Sequence, residues 1–136
     1  MAVVLAGCGG DRSEPLPQVC TEGPGAILKA LAKAPRNVAM HGTPISRCFN
    51  RDANGDDVQI VGTNLLAAAQ QLSDRARAGD ARAALQLGYL IGAARKGARR
   101  NGLGAEIVRR LETEAAAGAG SQRAYHRGLR AGLNNG

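Results

Sequence analysis

Over most of the chain the apolar positions recur at intervals of three and four, which is the spacing of a helix face and not of a strand. The first such set is Ile27, Leu28 and Leu31. Gly23 and Pro24 lead into it, Thr21 is the expected cap, and Pro35 is the expected stop. RNVAMHG then reads as a connector. Thr43 followed by Pro44 reads as the start of a short second helix carrying Ile45, Cys48 and Phe49, with proline at the first helical position. RDANGDD is a turn, and Asp56 or Asp57 is expected to cap a long third helix over about 57–78. Val58, Val61, Leu65, Ala68 and Leu72 lie on one face of it. Gly79 ends that helix and Asp80 caps the next, which gives a helical hairpin with a short connection.

Residues 81–94, ARAALQLGYLIGAA, contain only two polar side chains, Arg82 and Gln86. A helix that is apolar all round is a buried helix. Fourteen residues fall short of the roughly 20 that a membrane span needs. This segment is therefore expected at the centre of a bundle. Ala84, Gly88 and Gly92 form a small-residue stripe along which a neighbouring backbone can approach closely. A further helix is expected over 104–117, with Ile107 and Leu111 inward, and AAAGAGS breaks it. In the tail, Tyr125, Leu129 and Leu133 are spaced for a last weak helix, frayed or disordered. The expected fold is all-α: a small bundle of four to five helices. Its organisation reads as 1–7 the end of a signal peptide, 8–19 a tether, 20–118 the helical domain and 119–136 a basic tail.

Composition supports this class. Of the 136 residues, 26 are alanine, another 26 are Val, Ile or Leu, and only Phe49, Tyr89 and Tyr125 are aromatic. Alanine has the best helix propensity, whereas strands favour β-branched and aromatic side chains. The net charge of +7 is unevenly placed. Residues 1–60 hold six basic and six acidic side chains, and residues 61–136 hold twelve and five. A basic half favours anionic surfaces, whether lipid, acidic polysaccharide or nucleic acid. The main cluster in the sequence is Arg95, Lys96, Arg99, Arg100, Arg109 and Arg110. It reads either as an anion-binding face or as a solvated surface.

The cysteines bear on compartment. Leu5-Ala6-Gly7-Cys8 resembles the lipobox of bacterial lipoproteins: a large aliphatic residue, two small ones, then the cysteine. The resemblance implies that the Cys8 thiol takes a diacylglycerol, that cleavage makes Cys8 the mature N-terminus, and that a lipid anchors the chain to a bacterial membrane on the periplasmic or extracellular side. A full signal has a basic start and an apolar stretch of roughly 7–15 residues. Seven residues precede Cys8 and none is basic, so the resemblance implies a start further upstream. GGDRSEPLPQ suits an extended tether. Exactly two further cysteines, Cys20 and Cys48, read as one disulfide in an exported chain. It would clip the first helical region to the segment TPISRCF. Closing that loop of 29 residues is worth about 3–4 kcal/mol in the chain-entropy picture. Two buried free thiols in a cytosolic protein are the alternative.

Other motifs are weaker. DANGDD resembles the start of an EF-hand loop through Asp52, Asn54 and Asp56. Asp57 stands where the loop needs glycine, however, and Thr63 where it needs glutamate. AGDARAALQLGYL resembles the opening of a Sel1-like helical repeat, with its tyrosine misplaced directly after Gly88 and no second copy. No CxxC is present, and His41 and His126 lie far apart, so neither a metal nor a cofactor is expected. Neither histidine is accompanied by a nucleophile signature, and no phosphate loop or dinucleotide fingerprint occurs. The expectation is a lipid-anchored envelope protein that binds or supports structure and is not an enzyme. Its partners would be the membrane and anionic lipid or polysaccharide. The rival is a cytosolic basic helical protein that binds nucleic acid or a protein partner. The scarcity of aromatic side chains for stacking counts against nucleic acid.

Overall fold

The computed structural model describes residues 16–49, 55–98, 103–118 and 120–136. The elements are α1 (Pro24–Leu31), β1 (Ala39–Met40), β2 (Thr43–Pro44), α2 (Gly55–Arg77), α3 (Ala81–Gly97), α4 (Leu103–Gly118) and α5 (Gln122–Asn135). Two 3₁₀ turns, Gln18–Thr21 and Ile45–Phe49, complete them. The fold is a small all-α bundle with a disulfide-clipped N-terminal region, as the apolar spacing predicts.

α3 is the central helix, buried continuously from Ala83 to Ala94. α2 and α4 pack together against it, and α5 lies along it for its whole length. Asp80 caps α3 by accepting from the Ala83 N–H at 3.0 Å. The turn before it is a Schellman closure: Gly79 N–H donates to the Ala76 carbonyl and Asp80 N–H to that of Arg75. Gly79 has φ +98°, so a side chain there would be strained.

The α3–α5 contact is unlike the others, because backbone meets backbone. A Cβ on Gly88 would stand 2.0 Å from the Tyr125 carbonyl oxygen, and one on Gly92 2.3 Å from that of Leu129. The reverse holds for α5. A Cβ on Gly128 would meet the Leu85 carbonyl at 1.9 Å, and one on Gly132 that of Tyr89 at 2.1 Å. Contacts advance in the same direction along both helices, so the two run parallel. Each contributes a Gly-x-x-x-Gly pair, the spacing that brings two helix backbones together without intervening side chains. The tail expected as a weak or frayed helix is thus a full helix seated on the core.

The N-terminal region departs from expectation in three places. Thr21 does not cap α1; its hydroxyl donates to the Gln18 carbonyl at 2.7 Å within the first 3₁₀ turn. Thr43 and Pro44 do not start a helix, because they pair with Met40 and Ala39 in a minimal hairpin. His41 and Gly42 form its two-residue loop with φ +46° and +82°, the left-handed pair that hairpin twist favours. The helical turn begins one residue later, at Ile45. Residues 16–19, expected as part of a tether over 8–19, belong to the packed domain. Leu16 and Val19 already pack on the core, and the Pro17 carbonyl accepts from the Cys20 N–H.

Asp56 and Asp57 lie inside the first turn of α2, where their charge favours the positive end of the helix dipole. Asp52 and Asn54 of the EF-hand-like stretch lie outside the described residues. Tyr89, the displaced residue of the Sel1-like stretch, is fully buried and accepts from the Val38 N–H at 3.1 Å. It thereby ties the connector after α1 to the central helix. Burial pushes its phenol up, and the Val38 bond opposes that rise.

Candidate functional site

The disulfide is formed. Cys20 of the first 3₁₀ turn and Cys48 of the second are joined, with Cα atoms 5.5 Å apart, and both residues are buried. Cys8 lies outside the described residues, as do Arg99 and Arg100. No described helix is long and apolar enough to cross a membrane.

The cations of the C-terminal half separate into two groups according to whether an acceptor meets them. Most of the cluster singled out in the sequence is met. Arg95, in the last turn of α3, donates to Glu112 of α4 at 2.7 Å. Lys96 donates to the Asn134 carbonyl of α5 at 3.0 Å. Arg109 forks onto both oxygens of Glu106 at 2.7 and 2.8 Å, and Arg110 donates to the same carboxylate at 2.8 Å. Arg109 and then Arg110 hold the Glu106 carboxyl down to about 2, and Glu106 in turn raises Arg109. Elsewhere Arg75 pairs with Asp80, Arg77 with Asp74, and Arg82 reaches the Ala32 carbonyl at the end of α1. These pairs are exposed and contribute little stability each. Their effect is to give each of these cations a local acceptor.

α5 is the exception. It carries Arg123, His126, Arg127 and Arg130 and no acidic residue. The three arginines are exposed. Among the described residues none of them has an ion pair or a hydrogen-bonding partner. At about 100° per residue they fall within about 60° of one another on the helix. That arc lies nearly opposite Gly128 and Gly132, the residues that press on α3. Tyr125 sits half-buried on the glycine side, its ring edge-to-face with His126 at 5.6 Å. The face therefore points away from the bundle and is held there by a rigid backbone contact.

A second cationic region borders α1. Lys29 and Lys33 line an open groove of about 620 Å³ together with Glu22, Met40 and His41. The His41 ring nitrogen lies 3.3 Å from the Glu22 carboxylate, and its side chain is 75% exposed. Among the described residues no three His, Cys, Asp or Glu side chains gather where they could hold a metal ion.

The four described members of the cluster expected from sequence are each met by an acceptor, and the α5 face is not. Arg123, Arg127 and Arg130 stand at i, i+4 and i+7, so they share a face once the tail forms a helix. The chain matches no protein-family model, no curated protein and no solved structure.

Proposed function

We propose that the chain is a lipid-anchored protein of a bacterial cell envelope, acting by binding or structural attachment and not by catalysis. The observation that carries the reading is the Cys20–Cys48 disulfide. Such bonds persist in oxidising compartments and are rare in the cytosol. The lipobox-like Leu5-Ala6-Gly7-Cys8 supplies the route and the anchor. Cys8 lies eight positions before Leu16, where the chain already packs on the domain. Eight residues reach at most roughly 28 Å, so an acyl group on Cys8 would keep the bundle against the bilayer.

Fractionation of cells expressing the full chain tests this. The wild-type protein is expected in the membrane fraction, retained through a high-salt wash and released by detergent. Cys8→Ser is expected in the soluble fraction. A wild-type chain that distributes like Cys8→Ser would remove the anchor. If Cys20 and Cys48 also proved freely alkylatable in that sample, the cytosolic nucleic-acid reading would take its place.

A further inference from the structure

We infer that the outward face of α5, built from Arg123, Arg127 and Arg130, is a docking surface for anionic phospholipid head groups. The inference rests on the envelope reading only for what brings such a surface within reach. Two independent features mark the face. It is the one run of arginines in the C-terminal half of the described chain that no described carboxylate or carbonyl meets, whereas Arg95, Lys96, Arg109 and Arg110 each donate to one. It is also fixed in direction, because Gly128 and Gly132 on the opposite side of α5 sit against the backbone of α3. A helix so held cannot turn its arginines inward or bury itself in the bilayer. It can only present them.

The shape of the face favours a lipid surface over a polymer. Seven positions of helix span about 10.5 Å, so the three guanidinium groups form a short convex ridge. A planar array of phosphates meets such a ridge along its length. Single-stranded polymers are tracked by grooves lined with stacking aromatics, and Tyr125 is half-buried toward α3 and not offered to solvent. Guanidinium groups pair with phosphate oxygens through two parallel hydrogen bonds. Each basic residue near an anionic leaflet adds close to a factor of five in affinity, so three together give roughly a hundredfold. Docking through α5 would fix which side of the bundle faces the membrane and which faces outward.

The test uses the full chain carrying Cys8→Ser, so that no acyl group contributes. Co-sedimentation is measured with phosphatidylglycerol vesicles and with phosphatidylcholine vesicles, at low and at moderate salt. Binding is expected to the anionic vesicles only and to weaken steeply with salt. Arg123→Gln, Arg127→Gln and Arg130→Gln together are expected to lower affinity roughly a hundredfold, with thermal unfolding unchanged. The matching Lys triple is expected to fall between wild type and the Gln triple, since the ammonium keeps the charge and loses the two-pronged pairing. Replacing Arg95, Arg109 and Arg110 by Gln removes the same net charge from a different face and is expected to cost clearly less than the α5 triple. Equal losses for the two Gln triples would overturn the assignment, as would equal binding to both vesicle types. Tighter binding to duplex DNA or heparin than to phosphatidylglycerol at the same salt would also overturn it. Because Cys8 is absent from this assay, failure here leaves the anchor standing, and failure of the fractionation test leaves this result standing.

Discussion

The two ends of the chain are fastened to the same central helix by opposite means. Residues 16–49 hold short elements: two 3₁₀ turns, an eight-residue helix and a two-residue hairpin. They bury real bulk, with Ile27, Leu31, Val38, Ile45 and Phe49 nearly fully enclosed, and a covalent bond closes them. α5 buries no large side chain completely. It is held by four glycines that let two helix backbones touch. The first solution depends on an oxidising surrounding, so it carries information about compartment. The second works in any compartment. It also leaves the far side of α5 free of packing duties, and that side carries the arginines.

The comparison can be broken most forcefully at Gly88. A valine there would drive its side chain into the Tyr125 carbonyl and the Leu129 N–H. The expected loss is about 4 kcal/mol or more, above the usual cost of overpacking because backbone cannot step aside. Hydrogen exchange should show α5 losing protection while residues 16–49 keep theirs. Next comes the disulfide. Cys20→Ser with Cys48→Ser is expected to lower stability by about 3–4 kcal/mol in urea unfolding, with exchange rising first in residues 16–49. If reduction loosened α5 first, the two fastenings would not be separate.

A smaller change sharpens the contrast by its sign. Gly25 lies in α1 with nothing within 4 Å of a Cβ. Gly25→Ala is therefore expected to stabilise by about 0.5–1 kcal/mol through helix propensity. The same substitution at Gly88 should destabilise. Matched urea midpoints check both. The smallest expected effect is electrostatic. Glu106 titrates near 2 in the fold against an ordinary 4.5, held there by Arg109 and Arg110. Its contribution is therefore present above about 4.5 and fades as pH falls toward about 2. Glu106→Gln should lie slightly below wild type in thermal midpoint at neutral pH and converge with it near pH 2. A gap that persisted in acid would mean that the carboxylate acts through something other than charge.

Much of the bundle was legible in the sequence. Wide apolar stripes, the Gly79–Asp80 punctuation and the polar-poor stretch after it placed α2 and α3, and the cysteine count gave the disulfide. What was missed is local. Thr43-Pro44 carries a helix-start pattern, but hairpin pairing with Ala39 and Met40 overrides it. The tail was read as weak because its hydrophobic side chains are few. Gly128-Leu-Arg-Ala-Gly132 repeats the spacing of Gly88-Tyr-Leu-Ile-Gly92, and matching those two stripes would have shown where the tail docks. The basic cluster reads from sequence either as an anion-binding face or as a solvated surface. Glu106 stands three and four residues before Arg109 and Arg110, so those pairs are readable within α4, whereas the Arg95–Glu112 pair depends on how α3 and α4 lie together.

The measurement that bears most directly on the account is the intact mass of the protein from its native host, with thiol alkylation before and after reduction. The account predicts a chain that begins at an acylated Cys8, with Cys20 and Cys48 alkylated only after reduction. An unacylated chain that retains residues 1–7 and has three free thiols would contradict it.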